Sequence, residues 1–233
     1  MRSIVMTAGC SGCGTAAVTA AVARQLALQG KKVLLVEATA GLRRMNRLLE
    51  IREEGLFDFS DLLEGRCALE NALLPTHIAG LTLLQGPSAI DWVPQAARVQ
   101  LLQEELSGTE QYDALLWYCP PGAGALQKGL LPAAETLVLL TEVTPQSIEA
   151  AAKTADWWAG QGARNLRTVF NRVGRRLPRD LGYPHLDAVL DAIGARLLGM
   201  IPEGADLPYS AATGNIAARL CGESRPLLAV YRP

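Results

Sequence analysis

A chain of 233 residues with a formal net charge of −1, 49% apolar and 5% aromatic, carries enough apolar material to bury a full core, and its charge balance excludes a disordered chain and a strongly basic nucleic-acid binder. No apolar stretch approaches the ~18 residues needed to span a bilayer, and the run after Arg2 is broken at once by Thr, Gly and Ser, which argues against a secretory leader and for a cytoplasmic location. The five cysteines, at 10, 13, 67, 119 and 221, are odd in number and scattered through a chain too large to need stapling, so they read as reduced thiols.

The chain opens with a short apolar run, Ile4-Val5-Met6, then Gly9-Cys10-Ser11-Gly12-Cys13-Gly14-Thr15-Ala16, then an alanine-rich stretch. Ala16 to Gln29 carries Val18, Val22 and Leu26 at helical spacing with Gly30 as the stop, which predicts a helix packed closely on a sheet. Lys31-Lys32 then introduces Val33 to Val36, a run of the kind buried on both faces of a parallel sheet. Strand, glycine turn, helix and strand in this order form a βαβ unit.

From Glu37 to Arg66 the pattern loosens. Gly41 to Leu49 reads as a short basic helix, and Phe57 to Leu63 as another with Asp58 or Ser60 near its start. Leu73-Leu74 and Leu81 to Leu84 are candidate strands separated by Gly80, and a helix is expected from about Pro94 to Leu106, with proline tolerated in the first turn. Ala114 to Tyr118 is a buried-strand pattern ending in Cys119-Pro120-Pro121-Gly122.

The second half repeats the alternation: strand at Leu137 to Leu140, helix at Pro145 to Trp158, strand at Leu166 to Phe170 ending at Asn171, helix at Leu186 to Ile193, strand at Leu197 to Ile201 ending at Pro202. No linker or internal repeat cuts the chain, so residues 1–233 are expected to form one α/β domain with a mainly parallel sheet and helices on both faces. Ligands on such sheets bind outside the carboxyl ends of the strands.

A strand feeding a glycine-rich turn that opens a helix is the layout of a phosphate-binding loop, because backbone N–H groups and the helix dipole both favour an anion there. The spacing Gly9-x-x-x-x-Gly14 suits a Walker A loop, but the next two positions, where lysine and Ser/Thr are needed, hold Thr15 and Ala16.

With these segments together, the chain resembles the MinD/ParA group of P-loop ATPases, dimeric switches of cell-division site placement, plasmid or chromosome partitioning and placement of surface organelles. The matching segments run in order: Ile4 to Ala17, Gly30 to Glu37 with Gly41-Leu42-Arg43, Tyr112-Asp113 through Gly122, Val169 to Val173, and Gly199 to Pro202. The resemblance implies a P-loop NTPase architecture with Gly9, Cys10, Ser11, Gly12, Cys13, Gly14, Thr15 and Ala16 as its phosphate loop and Asn171 at the position that recognises adenine. The bland alternative for Asn171 is a turn residue at a strand end.

The departures fall where catalysis occurs. The lysine that reaches across the family's dimer falls on Cys10, the lysine of the β- and γ-phosphates on Thr15, the magnesium-binding hydroxyl on Ala16, the water-activating aspartate on Thr39 and the Walker B aspartate on Tyr118. Phosphoryl transfer works through positioned charge, and each lost charged partner costs about 1.5–3 kcal/mol. The resemblance therefore implies a non-hydrolysing member, a pseudo-ATPase that binds or scaffolds a protein partner the sequence does not name. No cofactor is expected: ATP or ADP would bind weakly, Mg²⁺ is not anticipated, and no catalytic residue is assigned. The family's homodimer is open because its bridging lysine is missing.

Two alternatives belong beside this reading. One is a slow ATPase of the same family with rearranged ligands, Arg43, Arg44 and Glu37 supplying local charge. The other is a thiol-based metal or redox protein using Cys10, Cys13 and Cys119, although C-x-x-C plus one remote cysteine is an incomplete metal set. The clusters Arg43-Arg44-Arg47 and Arg172-Arg175-Arg176-Arg179 read as solvated faces, so nucleic acid is not an expected partner. His77 and His185 read as structural or exposed, and of Trp157-Trp158 one should pack inward. MinD-type proteins end in an amphipathic membrane-targeting helix. Leu227 to Pro233 offers too few residues for one, so attachment by that route is not expected.

Overall fold

The computed structural model describes residues 1–41, 43–108, 111–175 and 181–227, and its eight strands join in one sheet of order β3-β4-β2-β5-β1-β6-β7-β8. These are β1 (Arg2–Ala8), β2 (Val33–Glu37), β3 (Leu73–Pro75), β4 (Leu81–Leu84), β5 (Ala114–Tyr118), β6 (Thr136–Glu142), β7 (Leu166–Val173) and β8 (Arg196–Pro202). The helices are α1 (Thr15–Leu28), α2 (Arg44–Leu48), α3 (Phe59–Leu63), α4 (Leu69–Ala72), α5 (Ala96–Gly108), α6 (Ala125–Leu130), α7 (Pro145–Gly160), α8 (Leu186–Ile193) and α9 (Ala211–Leu220). Every strand pair is parallel except β3 with β4, so the alternation of elements yields the mainly parallel sheet it predicts.

Both faces of the sheet are covered, which is why the central strands are apolar at nearly every position. Ile4, Met6 and Ala8 of β1 meet α1 and α9 in one apolar cluster. Val5 points the other way, into a second cluster built from α3, α5, α6, α7 and α8. Period-two alternation assigns each strand residue to one cluster or the other.

α1 buries Val18 through Ala23, with Leu26 and Ala27. A helix apolar on more than one side needs cover on more than one side, and α9 with the turn before it supplies this cover: Gln25 donates to the Pro208 carbonyl in that turn and Gln29 to that of Gly214 in α9. α9 itself starts at Ser210, whose hydroxyl accepts from the Ala212 N–H. Neither α9, α6 nor the one-turn α4 was anticipated. β6 and β7 also run further than expected, to Glu142 and Val173, and α5 starts at Ala96 rather than Pro94.

Asp58, not Ser60, caps α3: it accepts from the N–H groups of Ser60 and Asp61, while Asp61 reaches back to the Asp58 N–H in a capping box. Trp158 is the inward tryptophan, fully buried, and Trp157 is half-buried against the same cluster. His185 caps α8 by accepting from the Ala188 N–H. The expected helix of Gly41 to Leu49 is confined to α2, and Leu42 lies outside the described residues, as do 176–180 of the second arginine cluster and 228–233 of the C-terminal segment. Among the described residues no helix is long and apolar enough to cross a membrane.

Two details tie the carboxyl ends of the strands together. Gly9, just after β1, lies against the backbone of α7: a Cβ there would stand 2.3 Å from the Ala150 carbonyl carbon and 2.4 Å from the Ala151 nitrogen. Glu37, the last residue of β2, is 1% exposed and accepts from the N–H groups of Arg44 (2.7 Å) and Met45 (3.4 Å), so it anchors the start of α2. Burial pushes its carboxyl up to about 7, with these N–H groups and that of Gly86 pulling the other way.

Gly9→Ala should cost at least about 3 kcal/mol in urea denaturation, since the clash is with backbone that cannot swing aside. Gly12→Ala, where φ is +94° and nothing lies within 4 Å, should cost only about 1 kcal/mol; equal losses would mean that α7 yields freely. For Glu37 the raised carboxyl means that the folded state holds a proton the unfolded state releases. Its stabilising contribution is complete below about pH 4.5 and is lost as pH rises through about 7. Relative to Glu37→Gln, the wild type should lose about 3 kcal/mol between these limits. A stability difference that does not change with pH counts against this burial effect.

Candidate functional site

Residues Gly9 to Gly14 join β1 to α1 at the carboxyl end of the sheet, and two glycines make the turn. Gly12 has φ +94° and Gly14 φ +79°, conformations that favour glycine over any residue with a Cβ. Gly14 occupies the N-cap of α1 without a side-chain cap, so the first N–H groups of that helix are left for another acceptor.

β7 holds the loop from the side. Its register with β8 slips between Phe170 and Val173, and Arg172 has φ +52°. A bulge of this kind turns adjacent side chains toward the same neighbour. Asn171, 3% exposed, donates through Nδ2 to the Cys13 carbonyl at 2.9 Å. Arg172 donates through Nη1 to the Gly12 carbonyl at 3.0 Å and pairs with Glu142. In a trans peptide the C=O and the following N–H point in opposite directions. Fixing these two carbonyls on β7 therefore turns the N–H groups of Cys13 and Gly14 away from it.

In front of the loop lies a cavity of about 840 Å³. Cys10, Ser11, Gly12, Gly14, Thr15 and Ala16 form one wall. The opposite wall carries Arg44 and Arg47 of α2, and Thr39 and Tyr118 line it at the ends of β2 and β5. Among the described residues no carboxylate lines it, and no group of three His, Cys, Asp or Glu side chains could hold a metal ion. Burial raises the Tyr118 phenol, with Arg44 and the Thr39 hydroxyl opposing that shift. Backbone N–H groups facing two guanidiniums make an anion-accepting enclosure.

The thiols do not gather as a trio. Cys10 and Cys13 lie with their sulfurs 3.5 Å apart, and both are within reach of the Ser147 hydroxyl at 3.6 and 3.9 Å. Cys119 lines the same cavity as Cys10 but is 1% exposed and packs in the apolar cluster on the opposite face of the sheet, whereas Cys13 packs into the first. The expected convergence of Cys10, Cys13 and Cys119 is therefore met in part: Cys10 and Cys13 touch, while Cys119 reaches only the shared cavity, because it follows Trp117 in the alternation of β5 and shares its side. Burial raises the Cys119 thiol strongly and lifts Cys13 to about 11, assisted by Cys10 beside it.

Asn171 is not among the cavity's lining residues; its amide is spent on the loop carbonyl. Arg172, read from sequence as part of a solvated basic cluster, is a second loop clamp. Arg43 is not a lining residue and pairs instead with Glu54 and the buried Asp58, whereas Arg44 and Arg47 reach the cavity. Arginines three apart on a helix share one face, and that spacing was the available signal.

No protein-family model matches the chain. A protein described as septum site-determining MinD from Oltmannsiellopsis viridis is 31% identical over 87% of this chain, which spans 64% of that protein's length. The septum site-determining protein MinD of Synechocystis is 25% identical over 97% of this chain and 92% of its own. Among solved structures, the MinC:MinD cell division protein complex of Aquifex aeolicus superposes with a TM-score of 0.86 at 27% identity, covering 98% of this chain and 99% of that one. With the strand order, the loop and the clamp already described, the chain shares the fold of the MinD/ParA P-loop proteins and is similar in sequence to MinD proteins over nearly all of its length.

Proposed function

We propose that this chain is a non-hydrolysing MinD/ParA protein that binds or scaffolds a protein partner in cell-division site placement, partitioning or a related positioning task. The observation that carries the reading is the charge pattern around the cavity. At the five positions where the family resemblance calls for lysine, a metal-binding hydroxyl or aspartate, the chain has Cys10, Thr15, Ala16, Thr39 and Tyr118. Ala16 has no oxygen to offer a magnesium ion, and buried Tyr118 is a neutral phenol where a carboxylate would be needed. The residues present therefore suit a phosphate-bearing anion and do not suit its metal.

The frame still accepts an anion. The loop backbone, Arg44 and Arg47 supply donors and positive charge, and the N-terminus of α1 adds its dipole. In this reading ATP or ADP binds weakly and without Mg²⁺, and the loop residues Gly9 to Ala16 are the cradle. Asn171 acts on the nucleotide only through the loop it holds. The similar Aquifex chain is found in a complex of MinC with MinD, which supports a protein as the partner here. Because Cys10 stands where the dimer-bridging lysine would, assembly is expected to be indifferent to nucleotide.

Calorimetry and phosphate-release assays test the reading together. Expected are no turnover above background, and ATP affinity weaker than about 10 µM that is the same with Mg²⁺ and with EDTA. Metal-dependent binding tighter than that, or turnover, would favour the slow ATPase with rearranged ligands. Arg44→Ala and Arg47→Ala should each weaken ADP binding about tenfold or more, whereas Arg43→Ala, whose side chain pairs with Glu54 and Asp58, should not. Light scattering after gel filtration should return one mass with and without Mg-ATP; a nucleotide-dependent doubling would revive the family's switch.

A further inference from the structure

Cys10, Cys13 and Ser147 form a cluster of nucleophilic side chains that anion binding does not use, and it stands apart from the reading above. The sulfurs of Cys10 and Cys13 are 3.5 Å apart, so roughly 1.5 Å of approach separates them from the ~2.05 Å of a disulfide bond. The Gly12 and Cys13 carbonyls are held by Arg172 and Asn171, so the approach falls to the half-buried Cys10 and the exposed Ser11 beside it. The two thiols differ in access: Cys10 lines the cavity and is half-buried, whereas Cys13 is 2% exposed. Ser147, in the first turn of α7, is hydrogen-bonded to both sulfurs and holds them side by side.

We infer that Cys10 and Cys13 are a reversible dithiol–disulfide pair, oxidised through the cavity by a small disulfide that carries carboxylates. Arg44 and Arg47 on the facing wall supply the charge that would attract such a reagent. The exchange proceeds in two displacements. Cys10 gives its proton to solvent, and its sulfur attacks one sulfur of the reagent. A Cys10–sulfur bond forms, the reagent's S–S bond breaks, and one thiolate leaves and takes up a proton. Cys13 then loses its proton and attacks the Cys10 sulfur, forming the internal disulfide and expelling the second thiolate. Two electrons pass from the pair to the reagent, which leaves as two thiols. The order follows from access, since the buried Cys13 meets only its neighbour. Ser147 is a positioning residue that keeps the second sulfur in line.

The test uses the full chain incubated with oxidised glutathione in defined ratios to reduced glutathione, quenched with acid, alkylated, and analysed by peptide mass spectrometry. The expected product is loss of the mass of two hydrogens from the peptide holding both cysteines, reversed by excess reduced glutathione, with no glutathione retained. Cys13→Ser should trap one glutathionyl group on Cys10, Cys10→Ser should leave Cys13 unmodified, and Ser147→Ala should slow ring closure several-fold while the first displacement keeps its rate. The inference fails if the wild type accumulates glutathione on Cys10 without closing the ring. It also fails if Cys10 pairs with Cys67, Cys119 or Cys221, or if both thiols stay reduced in pure oxidised glutathione. The wild-type experiment is decisive even if a variant folds poorly.

Discussion

Two loop carbonyls held by two neighbouring side chains set the arrangement of this site. The Cys13 and Gly12 carbonyls accept from Asn171 and Arg172, one a neutral bond of about 1 kcal/mol net and one charge-assisted and stronger. Once these peptides are fixed, the direction of the following N–H groups, the left-handed glycines and the start of α1 follow. The clamp also explains Gly14: a Cβ there would lie 2.5 Å from the Asn171 amide nitrogen. Gly9 does the same against α7, so β7 and α7 grip the turn from two sides.

Backbone and side chains contribute separately to this site. The anion cradle is made of peptide groups and survives almost any change of side chain that keeps the glycines, whereas phosphoryl transfer needs specific charges at specific points. Positive charge at the cavity comes instead from α2, a helix of five residues held at its start by the buried Glu37 carboxyl. Arg44 and Arg47 are thus only as well placed as that one acceptor makes them.

Most of the sheet was legible because strands buried on both faces have nothing but apolar residues to offer, and the short length of Val33 to Val36 and Ala114 to Tyr118, with turn signals beside them, favours strand over helix. The glycine loop was legible from spacing. α9 was less so, because Gly214 interrupts a short alanine-rich run. The signal that would have found it was indirect: α1 has more apolar surface than one sheet face can cover. The side of Cys119 follows from parity with Trp117 and needed only counting along β5. The clamp was not legible, since it depends on a one-residue bulge in β7, and the pattern of Val169 to Val173 reads as a plain strand end with a polar tip. A local slip of register leaves composition untouched while changing where two side chains point.

That bulge also makes length, more than residue identity, the quantity that β7 must conserve. Between Val169 and Val173 the strand re-enters its pairing with β8 at Pro202 after the irregularity. Substituting Asn171 or Arg172 removes one hand of the grip and leaves the other in place. Deleting a single residue in that span would straighten the strand and rotate the remaining side chains to the opposite face, freeing both carbonyls of the turn at once. The segment is therefore a ruler: the hollow at the carboxyl end of β1 is kept in shape by a residue count taken two strands away.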